Sequence, residues 1–292
     1  MIPKRMKPDP LPAIHPAWEY QADEALQETY AAYKEAFQVP WVGVVSMAYA
    51  HYPRFFNLWW QAFQPVVRSA VYVEMCHALR NHIERSVMAL KPPPIKDRLR
   101  DIGYSERELG EIRAMIEVFS HGNFAQLPAV VAARLLLEGG AVAGGVVVKP
   151  YSVRHGPVQG VPFVLMEPHH ATAETLALYK DVMDRLGLPF VNTDYRALSR
   201  WPSYFDLAWG DLKWVLKLPA YETVTARMHE KMFKVAANLP NPVGLSALQL
   251  QEAAARDASV AEVIEVTRLF SYLLPGLVTN IAYLRAQFLD TP

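Results

Sequence analysis

The chain has a single cysteine, Cys76, in 292 residues, which excludes an internal disulfide and any Cys-rich metal site. It has no surplus charge either. With 29 Lys and Arg against 29 Asp and Glu there is no summed field to hold a polyanion, so neither nucleic acid nor an anionic membrane is an expected partner. No apolar run approaches the ~18 residues of a membrane span; the nearest, Ala141 to Val148, is broken by Gly144 and Gly145. The basic start, from Met1 to Pro10, runs into prolines rather than an apolar segment and does not read as a secretory signal. The nucleophile elbow, the Walker loop and the glycine-rich dinucleotide fingerprint are all missing. These absences predict a soluble, cytoplasmic protein.

What is present is a core-forming composition, 52% apolar and 20% charged, and an internal repeat. At an offset of 149, Pro40-Trp41-Val42 falls over Pro189-Phe190-Val191, and Tyr52–Trp60 over Trp201–Trp209. The window 40–60 holds 7 identities in 21 positions, with aromatic exchanged for aromatic at Trp41/Phe190, Tyr52/Trp201 and Phe55/Tyr204. Tyr33-Lys34 pairs with Tyr179-Lys180 after a shift of three, and Leu127-Pro128 with Leu274-Pro275 at 147. The organisation expected is an N-terminal arm at 1–19, a first repeat at 20–140, a Pro/Gly-rich connector at 141–169 with one short extended piece at Val146–Val148, and a second repeat at 170–292.

Within each copy the apolar spacing is helical: Ala25-Leu26, Tyr30, Tyr33 and Phe37; Ile112, Met115-Ile116 and Phe119; then Val131, Leu135 and Leu137. Pro53, Pro65, Pro202 and Pro219 fall where segments change, each suited to the first turn of a new helix. The fold class predicted is all-α, two tandem pseudo-symmetric helical repeats packed around a central cleft, where small-molecule sites lie.

Glu74-x-x-His77 has the spacing of a di-iron bundle ligand pair, but Ala226 precedes His229 in the second copy, so the partner pair is missing. Glu74-Met75-Cys76-His77 also resembles the carboxymuconolactone-decarboxylase and alkylhydroperoxidase-like bundles, whose redox members need two cysteines; a lone helical Cys reads as a small buried hydrophobe. The sharper signal is where the copies disagree. Asn192-Thr193-Asp194-Tyr195-Arg196 stands where the first copy has Gly43-Val44-Val45-Ser46-Met47, placing Asp194 at a position that is apolar in its twin, with a desolvation reason for an altered pKa. The alternative is that Asn192, Thr193 or Asp194 caps the helix running toward Trp201. The first copy also carries four extra residues, His121-Gly122-Asn123-Phe124, between its last two helices; Asn123 offers an amide that can hold a water, and a Gly-Asn pair equally suits a plain loop.

Phe190–Leu198, followed by Arg200-Trp201-Pro202-Ser203-Tyr204-Phe205, resembles the group I 2-haloacid dehalogenases, the family of the D-specific and non-stereospecific enzymes. The resemblance extends to Trp18-Glu19-Tyr20, Val39-Pro40-Trp41 and Gly122-Asn123. It implies an all-helical homodimer that hydrolyses short 2-haloalkanoic acids by direct attack of water with inversion at C2, without metal or organic cofactor. Asp194 matches the family's general base and Asn123 the asparagine that holds the water. Trp41, Val44, Asn192, Thr193, Tyr272 and Phe288 fall at or near pocket positions, Val44 being a departure where some members have an aromatic. Asn192 favours a D-selective enzyme, because members accepting both enantiomers have a small residue there. The alternatives are a non-catalytic helical repeat protein that binds a small acid, and a cofactor-free decarboxylase-like bundle using Cys76 and His77.

Overall fold

The computed structural model describes residues 2–289. Among them twelve α-helices follow one another in the order α1 Glu24–Phe37, α2 Val44–Ala50, α3 Pro53–Val67, α4 Ala70–Val87, α5 Lys96–Asp101, α6 Glu106–Leu137, α7 Ala173–Leu186, α8 Thr193–Leu198, α9 Pro202–Val215, α10 Pro219–Ala236, α11 Ala247–Ala255 and α12 Val260–Ala286. The protein is all-α. No strand forms among the described residues; the extended piece expected at Val146–Val148 is plain connector, and an isolated bridge joins Ser69 to Pro150 two residues further on. No helix is long and apolar enough to cross a membrane among the residues described.

The helix starts of α1–α4 recur in α7–α10 at a constant spacing of 149. Backbone contacts repeat with them. Ala17 N donates to Met47 O at 2.9 Å, and Met166 N to Arg196 O at 3.0 Å. The Tyr30 hydroxyl donates to Ala17 O and the Tyr179 hydroxyl to Met166 O, both at 2.7 Å. Tyr179 therefore corresponds to Tyr30 rather than Tyr33, and no shift of three is needed in this helix.

Local chemistry accounts for most helix ends. Asp23 accepts from Leu26 N, Thr172 accepts from Thr175 N, and Ser246 with Gln249 closes a capping box. Pro53, Pro202 and Pro219 open their helices, where a missing N–H costs nothing. Pro65 differs from expectation: it lies inside the last turn of α3, two residues from its end.

The larger departure is α6. The predicted break at Gly122-Asn123 does not occur; α6 runs unbroken for 32 residues with Pro128 inside it. Proline removes the donor for the carbonyl four residues back, Phe124 O, and its ring crowds that turn. Cys76 Sγ on α4 donates to Phe124 O at 3.4 Å, and the Tyr72 hydroxyl donates to Ala125 O at 2.6 Å. A neighbouring helix thus satisfies the carbonyls that the proline exposes, as buried backbone groups require.

The chain divides into two compact units. Unit one comprises Met1–Asn81, Gly122–Gly156 and Thr225–Leu277; unit two comprises His82–His121, Pro157–Val224 and Val278–Pro292. Each draws on both sequence repeats. The core of unit one is aromatic, with Trp59 stacked on Phe63 at 5.4 Å between centroids and Tyr33 against Phe37 and Trp60. In unit two, Tyr195 packs on Phe205 and Trp209 at 5.7 and 5.9 Å. Clusters of this kind bury large apolar area and gain about 0.5–1.5 kcal/mol per ring pair beyond it.

Candidate active site

In unit two, α8 is only six residues long, and every one of them is buried. Asp194 is 2% exposed, and its twin in the first copy, Val45, is 3% exposed. A carboxylate therefore occupies a position the fold fills elsewhere with an aliphatic side chain. The capping alternative fails for Asn192: it sits at the N-cap of α8 but its side chain makes no cap hydrogen bond, and its buried Oδ1 has no hydrogen-bond partner. The helix that starts there runs toward Trp201 but is short, stopping at Leu198 before α9 begins at Pro202.

The side chains around Asp194 along α8 are tied to other groups. Arg196 Nη1 grips both oxygens of Glu167 at 2.7 and 2.8 Å, and its Nη2 reaches Thr193 Oγ1 at 3.4 Å. The Tyr221 hydroxyl donates to Asn280 Oδ1 at 2.8 Å, and Asn280 Nδ2 donates to the Tyr195 hydroxyl at 2.9 Å. Burial first, and also the charges of Tyr221 and Asp194, push the Tyr195 phenol well above its ordinary range against the opposing Asn280 hydrogen bond. Phe288, also in unit two, is buried with its ring 5.8 Å from that of Tyr204.

In unit one, Trp41 lies on a segment held at both ends, Val39 N donating to Lys34 O at 3.0 Å and Val42 N to Glu19 Oε1 at 2.9 Å. Its ring packs onto Gly122, where an added Cβ would collide with Trp41 Cη2 and stand 2.9 Å from Val39 Cγ1. Trp41 and Asn123, each 5% exposed, are thereby brought to one turn of α6. One turn further on, the amide of Gln126 lies against Gly43, the residue before the half-buried Val44; a Cβ there would meet Gln126 Oε1. Tyr272, on α12, is half-buried beneath the guanidinium of Arg5, which stands 4.2 Å from its ring centroid and whose Nε donates to Tyr272 O at 3.1 Å.

Cys76 does not read as a nucleophile. It is buried, its thiol pushed far up by desolvation, and its hydrogen serves Phe124 O, while Glu74 and His77 are exposed. Among the described residues no three His, Cys, Asp or Glu side chains are grouped to hold a metal ion.

No family model matches the chain. It is 43% identical over 242 residues to an (R)-2-haloacid dehalogenase of Rhizobium sp. (strain NHG3), covering 82% of this chain and 94% of that protein. It is 34% identical over 280 residues to the (R)-2-haloacid dehalogenase of Pseudomonas putida, covering 94% and 93%. The chain belongs to the group I 2-haloacid dehalogenases. Its fold matches a solved D-2-haloacid dehalogenase in complex with L-LA with a TM-score of 0.86 at 32% identity, over 98% of this chain and 99% of that one. A configuration-inverting 2-haloacid dehalogenase of Pseudomonas sp. (strain 113) is 26% identical over 220 residues, 72% of this chain and 70% of that protein.

Of the residues this family resemblance singled out, Trp41, Val44, Asn123 and Tyr272 lie in unit one, and Asn192, Thr193, Asp194 and Phe288 in unit two. Sequence reasoning passed over Gln126, Arg5 and the Tyr221–Asn280–Tyr195 chain. For Gln126 a signal existed: the 147 offset that pairs Pro128 with Pro275 sets it over Leu273, polar against apolar, as Asp194 is against Val45.

Proposed function

We propose that the chain hydrolyses short 2-haloalkanoic acids, with Asp194 as the general base that takes a proton from the attacking water and Asn123 as the residue that holds that water. The water oxygen bonds to C2 as the carbon–halogen bond breaks from the opposite side. The halide leaves with the bonding pair, the proton passes to Asp194, and the product is a 2-hydroxy acid of inverted configuration. The observation that carries the reading is the burial of Asp194 at a position that is aliphatic in the other copy. An ordinary aspartate, with a pKa of ~3.9, is a feeble base in water, and withdrawal from solvent strengthens it. The names of the relatives supply the reaction class.

Trp41, Val44, Asn192, Thr193, Tyr272 and Phe288 line the pocket in this reading. The Trp41 ring N–H suits a departing halide, on which negative charge grows in the transition state. Asn192, with its unmet amide oxygen, crowds one side of C2 and selects the D substrate. The family resemblance alone supports a homodimer working in the cytoplasm, which light scattering in solution and cell fractionation test.

Asp194→Asn should lower halide release from D-2-chloropropionate by ~10²–10⁴-fold with the fold kept, since an amide cannot take the proton. In a single turnover in ¹⁸O water, label should enter the product and not the Asp194 side chain. Label in the peptide containing Asp194 would make the carboxylate a nucleophile and overturn direct attack.

A further inference from the structure

We infer that Gln126 is a further substrate-binding residue, its side-chain amide donating to the carboxylate of the 2-haloacid. The inference rests on the dehalogenase reading above and names the group that seats the anionic end of its substrate.

Gln126 is 4% exposed, and its Nε2 has no hydrogen-bond partner. A buried amide N–H left unmet is costly, and such a group calls for an explanation that packing alone does not give. Packing does not demand an amide here. The corresponding position in the second copy is Leu273, 6% exposed, so the repeat accommodates an aliphatic side chain at this point.

Its place is specific. Gln126 follows Asn123 by three residues on α6, which sets the two amides on one helix face. Its amide lies against Gly43, with Cδ 2.9 Å and Nε2 3.1 Å from where a Cβ would stand, so that approach depends on the glycine. The next residue is Val44. Gln126 thus touches the segment that begins at Trp41 and sits one turn from Asn123, between the two parts of unit one assigned to the pocket.

The substrate supplies what the amide lacks. A 2-haloacid is an anion at neutral pH throughout the reaction, and its carboxylate needs donors. The two arginines buried among the described residues already hold carboxylates of the protein, Arg134 with Glu138 at 3.0 Å and Arg196 with Glu167 at 2.7 Å. A neutral donor fits the reading better than another cation, because it seats the anion without adding a positive charge that would weaken a carboxylate acting as the base.

The test is steady-state halide release from D-2-chloropropionate by wild type, Gln126→Leu and Gln126→Glu, with thermal denaturation of each with and without propionate. A donor that meets the carboxylate equally in ground and transition states sets KM rather than kcat. Gln126→Leu should raise KM about tenfold or more with kcat within about threefold, weaken the stabilisation by propionate, and raise the denaturation midpoint because the unmet donor is gone. Gln126→Glu should raise KM further, carboxylate facing carboxylate. A structural role would lower the midpoint of Gln126→Leu and leave KM alone, which overturns the inference, as does a fall in kcat at unchanged KM. Should Gln126→Leu fail to fold, an unchanged KM in Gln126→Glu overturns it equally. A wild type that releases no halide from any 2-haloacid overturns the dehalogenase reading itself, whereas normal wild-type turnover with indifferent Gln126 variants overturns this inference alone.

Discussion

Replacing Gly122 by alanine sets two effects of known sign against each other on one helix. In the interior of α6 alanine should be better than glycine by about 1 kcal/mol, because it has less backbone freedom to lose. The new methyl, however, points at Trp41 Cη2 and would also lie 2.9 Å from both Trp41 Cζ2 and Val39 Cγ1. Neither neighbour yields cheaply: Trp41 is 5% and Val39 6% exposed, and backbone hydrogen bonds from Val39 and Val42 pin the segment. Overpacking of this kind costs about 1–3 kcal/mol. Gly110, on the same helix with nothing within 4 Å of an added Cβ, is the control. Gly110→Ala should raise the free energy of unfolding by about 0.5–1 kcal/mol, and the difference between the two alanine variants, about 1–3 kcal/mol, isolates the collision. Denaturant unfolding followed by circular dichroism gives both values. Displacing the Trp41 ring by about 1 Å should also lower kcat/KM for D-2-chloropropionate, by up to about 10²-fold. A Gly122→Ala protein as stable as Gly110→Ala, with wild-type turnover, would refute the packing of Trp41 on α6 and its place in the pocket together.

Two further outcomes are expected. Asn192→Ala should gain activity on L-2-chloropropionate while keeping the D form, because swapping enantiomers at a pinned centre exchanges hydrogen for methyl on the crowded side; equal wild-type rates on both enantiomers, measured by halide release, would dismiss the steric argument. His229 is 2% exposed and held down to about 4 by burial first and then by the charges of Arg5 and Arg134. The unfolded chain protonates this ring near 6.5 and the native one only near 4. Its contribution is complete above about pH 6.5 and lost as pH falls toward 4, in total about 3–3.5 kcal/mol. His229→Asn should therefore show a shallower fall in unfolding free energy between pH 6.5 and 4.5, and an unchanged slope would remove His229 from the acid limb.

Several features of this protein are decided by local order along the chain. The helical spacing of apolar residues, the caps at Asp23, Thr172 and Ser246 and the prolines that open three helices each act over a few residues, and so they are legible without the fold. The repeat is legible for the same reason, since the copies keep one spacing from α1 through α4. The carboxylate at 194 stands out because its twin is valine, and burial of both follows from one shared backbone.

Tertiary structure decided the rest. A glycine, an asparagine and a proline within seven residues read as a break, yet α6 runs through all three. Trp41 fills the space that Gly122 leaves, while Cys76 and Tyr72 on another helix satisfy the carbonyls near Pro128. Those partners lie some 50 to 80 residues away in sequence, beyond the reach of any local rule. The same holds for Gln126, whose identity as glutamine is visible in the sequence but whose unmet donor is not. Whether a buried amide is satisfied depends on what the folded chain brings beside it, and here it brings Gly43, which leaves room for the amide but does not meet its donor.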